Sequence, residues 1–270
     1  MNTITKFSLS FFLGAAALFS SCSKDEEPKV ELAPELKIEN SKEILEVLPL
    51  QAISFDVYSK SLDNTNISSI SFSRELVIPE RFSKAPDNIK QKSYTYNFNG
   101  YAPLKKGDYE YTFITYTEGG QSKSVKQVVR VTEEPFTLEV NEKLTENAKV
   151  GEEFTITGKV RSIRGYKSIS FHTSALNPSI SFYSGNKYND VSKQTASSYT
   201  NVKSAHSIDK DGFEIFTFEV KVKVQKGDKG NKDSQKYFDV TFSAVDKWLS
   251  NPIYNKESQF KTWTKRINIK

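Results

Sequence analysis

The chain has 270 residues, which at about 150 residues per domain leaves room for two domains or for one large all-β unit. Hydrophobic residues make up 37% and charged residues 26%, and this excludes disorder over most of the chain, because a disordered chain has too little apolar surface to offset its conformational entropy. The formal charge is only +5, with Lys and Arg spread among acidic residues and not gathered in a stripe, so nucleic acid is not expected as a partner.

Lys6 stands before an apolar stretch from Phe7 to Phe19, broken only by Ser8 and Ser10, and Ser20, Ser21 and Cys22 follow. As a helix, thirteen residues rise about 20 Å, short of the roughly 30 Å of a bilayer core. Residues 1–21 are therefore expected to form a secretory signal peptide. No other segment reaches eighteen consecutive apolar residues. Cys22 is the only cysteine, so no disulfide can form within the chain and any core must hold by packing.

The run Leu18-Phe19-Ser20-Ser21-Cys22 resembles a bacterial lipobox, with Phe19 where Leu is usual. The resemblance implies acylation of Cys22 and anchoring in a lipid bilayer, each buried CH₂ contributing about 0.8 kcal/mol. The following Ser23, Lys24, Asp25, Glu26 and Glu27 are similar to the Ser/Lys-plus-acidic tether of surface-exposed lipoproteins of the Bacteroidota, which implies an outer-membrane location facing the cell exterior. Loss of Lys6 with the signal peptide leaves a formal charge of about +4. Two prolines and no periodicity mark 22–35 as the tether.

Tyr (13) and Phe (19) far outnumber Met (1) and Trp (2), and with abundant Val, Ile and Thr they make a β-rich palette. Short β-forming runs recur at Ile53 to Tyr58, Ile67 to Phe72, Tyr94 to Phe98, Tyr109 to Tyr116 and Val125 to Val131. Glu133-Glu134-Pro135 then breaks the pattern. A second series covers Phe136 to Val140, Phe154 to Val160, Ser168 to Phe171, Phe213 to Val224, Tyr237 to Val245 and Gln259 to Ile269. Strands at this spacing predict sandwiches.

A weak repeat links the two series: Ser69-Ile70-Ser71-Phe72 recurs as Ser168-Ile169-Ser170-Phe171, and Lys106-Gly107-Asp108 recurs as Lys226-Gly227-Asp228. The segment from Lys106 to Gly120 resembles the penultimate-strand hairpin of bacterial Ig-like, fibronectin type III-like and PKD-like modules, with Gly119-Gly120 supplying positive φ at the turn. The expected architecture is all-β, with two tandem antiparallel Ig-like β-sandwiches over 36–134 and 135–270.

Offsets between the repeats place the larger insertion of the second copy within Asn177 to Asp211, which is expected to be extended loop. Tyr183, Asn186, Tyr188, Asn189 and Tyr199 lie in it, and Trp248 and Tyr254 follow the penultimate strand. Tyr with Asn and Ser is the composition of an adaptable binding surface, here for a polysaccharide whose sugar faces stack on the rings. The other reading of these aromatics is structural, with Tyr183 and Tyr188 covering a sheet edge and Trp248 capping the core. Catalytic signals are poor: His172 and His206 stand alone, the pairs Glu152–Glu153 and Asp209–Asp211 read as turn acids, and no nucleophile or phosphate-loop motif occurs. Asp209-Lys210-Asp211-Gly212 reads as a tight turn and not a calcium loop. No catalytic residue, metal or cofactor is expected. Anchor and architecture together resemble accessory lipoproteins of outer-membrane nutrient-uptake systems, which implies polysaccharide or nutrient binding beside a transporter. The alternative is a structural or adhesive module that binds another surface protein.

Overall fold

The computed structural model describes residues 32–74, 85–141, 146–173, 179–191, 199–224, 237–247 and 260–270. Cys22, the tether residues Ser23 to Glu27, Trp248 and Tyr254 lie outside the described residues.

The first series of strands comprises β1 (Glu35–Glu39), β2 (Ile44–Val47), β3 (Ala52–Lys60), β4 (Ile67–Arg74), β5 (Asp87–Gln91), β6 (Ser93–Tyr101), β7 (Gly107–Thr117) and β8 (Ser122–Val131). They form a sheet β1-β3-β6 packed on a sheet β2-β8-β7-β4-β5. Strict alternation drives this: in β3, Ile53, Phe55, Val57 and Ser59 are buried while residues between them face out. Phe55 lies 5.6 Å from Phe98 and 6.0 Å from Phe113, ring centre to ring centre. This aromatic cluster joins the second and penultimate strands, where antibody domains place their inter-sheet disulfide. Packing therefore takes over the role of the missing cystine.

The second series comprises β9 (Phe136–Val140), β10 (Asn147–Ala148), β11 (Glu153–Ser162), β12 (Tyr166–Thr173), β13 (Ile180–Ser184), β14 (Lys187–Tyr188), β15 (Tyr199–Ile208), β16 (Glu214–Lys223), β17 (Tyr237–Asp246) and β18 (Phe260–Ile269). One sheet runs β15-β16-β11-β9 and the other β10-β18-β17-β12-β13-β14. Buried side chains fall into two clusters, one ending at Val131 and the other starting at Phe136.

Both sandwiches divide their first strand between the two sheets, and the second half pairs parallel to the last strand, β2 on β8 and β10 on β18. All other pairings are antiparallel. This is an Ig-like arrangement, and the second copy has the extra strands of the variable type. The repeat holds at the level of register: Phe72 pairs with Phe113 as Phe171 pairs with Phe242. In the first copy the KGD turn opens β7, and Tyr109 just beyond it donates its hydroxyl to the carbonyl of Lys105 at 2.9 Å, the corner contact that tyrosine makes at this point in Ig-like folds.

Two expectations need correction. The described part of the insertion expected as loop contains strands β13, β14 and β15, of which β14 and β15 have no counterpart between β5 and β6. Among the described side chains of β15 only Tyr199 and Val202 are buried, so the strand shows no alternation in sequence. At the Gly119-Gly120 turn only Gly120 takes a positive φ, 83°. Gly119 is needed for space, because a Cβ there would sit 2.5 Å from Asp63 Oδ2.

Candidate functional site

The end of the second sandwich at which β9 begins gathers several turns. β11 ends there at Ser162 opposite Glu214, the first residue of β16. β17 ends there at Asp246 opposite Tyr166, and β13 turns there into β14 through Gly185 and Asn186, both with positive φ. β18 also begins at this end, opposite Val245.

The expected ligand-facing residues are placed unevenly. Tyr199 is 3% exposed and meets Phe171 edge-on at 6.2 Å. Tyr183 is 9% exposed and packs edge-on against Tyr166 and Tyr188. Tyr188, half-buried, stacks on His206 at 4.0 Å and so joins the edge strands of the two sheets. Burial pushes the phenols of Tyr166 and Tyr188 well above the usual tyrosine range, and the charge of Glu214 adds to it. The Asn189 amide donates to the Ser181 carbonyl at 2.8 Å and holds the β13–β14 hairpin. Asn186 alone of these five is exposed. The aromatic faces of Tyr183 and Tyr199 are turned into the core, so neither offers a stacking surface to a sugar. Burial assigns both to packing, the structural reading.

The acidic pairs serve the backbone. Asp209 Oδ1 accepts the N–H groups of Asp211 and Phe213, both at 2.9 Å, which is a tight turn. Glu152 accepts the Lys149 N–H, and Glu153 pairs with Lys221. Among the described residues no group of three or more His, Cys, Asp or Glu is placed to hold a metal ion. A cleft of about 250 Å³ opens where β1 crosses to β2, beside Phe55, Lys42 and Gln127. It falls below the roughly 300–1,000 Å³ usual for small-molecule sites.

The outer face of the sheet β13-β12-β17-β18 is more distinctive. Its registers bring Ser181, Ser170, Ser243 and Thr262 into one row across four strands. The next row is His172, Thr241 and Thr264, the two threonine hydroxyls 3.1 Å apart. A third row, Ser168, Val245 and Phe260, lies toward the gathered turns. All these side chains are exposed or half-buried, so His172 is a surface residue and not a core one. The first carboxylate and guanidinium appear one row farther, where Arg266 grips Asp239 through two hydrogen bonds of 2.9 and 3.0 Å. On the matching face of the first sandwich the row of Ser71, Ile114 and Ser124 is likewise uncharged, and the difference lies in the next row, where Lys126 stands in place of Thr264 and pairs with Glu110, the counterpart of Asp239. Periodicity could have shown the face of the second sandwich, since every second residue of β17 and β18 belongs to it.

No protein-family profile matches the chain, and no curated protein does. Solved structures match in outline. A chimeric titin tandem is 12% identical, with 87% of this chain and 100% of that one covered and a TM-score of 0.26. The tandem Ig repeats of Dlar are 12% identical over 87% and 96%, with a TM-score of 0.27. The C-terminal domain of the Streptococcus pyogenes antigen I/II-family protein AspA is 11% identical over 88% and 99%, with a TM-score of 0.39. Scores this low carry nothing about function, and the Ig-like sandwich rests on the strand orders and registers above.

Proposed function

We propose that this is a non-catalytic surface module that binds another protein through the outer face of β13-β12-β17-β18. The single observation behind this reading is the breadth of the patch: three successive rows of the second face carry hydroxyls, an imidazole, Val245 and Phe260 with no carboxylate, ammonium or guanidinium, whereas the first face has Lys126, paired with Glu110, in place of Thr264. The centres of protein interfaces are depleted in charge, because ionised side chains are costly to strip of water. Hydroxyls and an imidazole, by contrast, can exchange water for a partner's backbone groups. The polysaccharide reading loses support, since two of the rings invoked for stacking, Tyr183 and Tyr199, lie in the core.

The anchor completes the proposal. Acylated Cys22 holds the chain on the outer membrane, and Ser23 to Glu27 carry it to the outer surface. A protein on the same membrane, such as a component of an uptake system, is then the partner within reach. Release of the chain from the membrane by Cys22→Ala tests the anchor.

The face is tested by a photo-crosslinking residue at Thr262, in cells displaying the full chain, with Lys126 as the control position. A discrete adduct from position 262 that disappears on Ser243→Lys supports the reading. Identical adducts from both positions, or none from 262, would overturn it. Retardation of the chain in polysaccharide gels that Ser243→Lys abolishes would also overturn it, and give the face to a glycan.

A further inference from the structure

The connection between the sandwiches has almost no length. Thr132 belongs to the first: its N–H donates to the Val47 carbonyl at 3.0 Å, and its hydroxyl to the same oxygen at 3.2 Å. Glu133, the next residue, belongs to the second through an ion pair with Arg161 Nη1. Two residues on, the buried Pro135 accepts the Ile163 N–H at 3.0 Å, and β9 begins at Phe136. No residue lies between the last hold on one sandwich and the first hold on the other.

Arg161 is itself immobilised. Its Nε and Nη2 donate to Asp209 Oδ2 at 3.1 and 3.0 Å, and its guanidinium carbon lies 3.3 Å from the centre of the Phe213 ring. Asp209 is held by the turn N–H bonds described above. A guanidinium fixed at its ring face and along one edge presents its remaining nitrogen in one direction, and Glu133 lies there. Burial opposes the charge on Arg161, yet Glu133 and Asp209 outweigh it and raise the pKa above its usual value. On the other side of the link, burial pushes the Tyr109 phenol up and the charge of Glu134 raises it further.

Sandwiches in tandem move relative to one another by default, unless a large interface joins them. We propose that the Arg161–Glu133 ion pair is a latch that removes the hinge, so that the two sandwiches turn as one body and the second is presented in a fixed orientation. With the pair broken, the torsions from Thr132 to Glu134 become the hinge. This inference stands apart from which face binds a partner.

The test is a spin-label distance measurement on the full-length chain carrying Cys22→Ser, with labels on Thr95→Cys in β6 and Ser204→Cys in β15, both exposed. The expected result is one narrow distance peak in this parent and a broad distribution in Arg161→Met. Glu133→Gln gives a second measure that leaves Arg161, Asp209 and their turn intact, and so separates loss of the latch from damage to the fold. A broad distribution in the parent, or an equally narrow one in both variants, would overturn the latch.

Discussion

Arg164 donates through Nη2 to Asp246 Oδ2 at 2.7 Å, with the two side chains 2% and 0% exposed. The pair ties the turn after β11 to the end of β17, and the Lys247 N–H donates to the Gly165 carbonyl beside it. The first sandwich solves the same problem differently. There Asp63, in the turn after β3, accepts from Thr117 at the end of β7, and Thr117 and Asp246 stand as far apart in sequence as Phe113 and Phe242. One location in the repeated fold is thus closed by a buried ion pair in one copy and by a hydroxyl-fed carboxylate in the other.

Breaking a buried pair leaves an uncompensated charge away from water. Arg164→Met or Asp246→Asn is expected to destabilise the protein by about 3–5 kcal/mol. The double variant Arg164→Met, Asp246→Leu should recover much of that loss. Denaturant midpoints of the second sandwich, followed for the three variants, check it. A single variant as stable as the parent would show that the pair contributes nothing.

Asp63 gives a pH signature. The hydroxyls of Ser61 and Thr65 and the Thr65 N–H hold its carboxyl far below the usual carboxylate range. A depressed folded pKa means that this stabilisation is present above the unfolded value of about 3.9 and is lost as pH falls through the folded value. Asp63→Asn should therefore lower the urea midpoint at pH 7, and the gap to the parent should narrow on acidification below pH 4. A gap that stays constant with pH would refute this origin.

Gly158 occupies the inward position that Phe55 holds in the first copy, for Phe55 pairs with Phe98 and Gly158 with Phe218. Without a side chain at 158, the Phe218 ring lies over the glycine and stacks on Phe242 at 3.9 Å. A Cβ would meet the ring at 2.4 Å and the Glu139 carbonyl at 2.6 Å. Because that carbonyl is backbone, rotating Phe218 does not relieve the clash. Gly158→Ala should cost about 1–3 kcal/mol, read as a lowered melting temperature. Gly185→Ala, at a position with open space around the new carbon, serves as a control for a turn with positive φ.

Tyr199 separates a packing role from a binding one. Tyr199→Ala should cost roughly 3–5 kcal/mol, as for other buried aromatics, and lower the melting temperature. Asn186→Ala at the exposed turn should leave it nearly unchanged. The reverse ranking would return Tyr199 to the surface.

Fold class and repetition were legible along the chain. Period-two alternation in β3 and β7 fixes which side of each strand is buried, and that pattern is local, as is the Ser-Ile-Ser-Phe repeat whose two phenylalanines take equivalent registers. The break at Glu133 to Pro135 was legible for the same reason: two acids and a proline interrupt alternation wherever they stand. Tertiary structure decided the rest. Edge strand β15 buries only two of its described side chains, so its sequence carries no periodic signal and its pairing with β16 decides it. Tyrosine has both an apolar ring and a polar hydroxyl, so composition alone cannot say whether Tyr183 and Tyr199 face a ligand or a core. The hydroxyl face of the second sandwich is assembled from four strands far apart in the chain, and the Arg161 latch joins residues 28 positions apart through a turn at Asp209. Such contacts depend on register and strand order, which set distances in space that spacing along the chain does not.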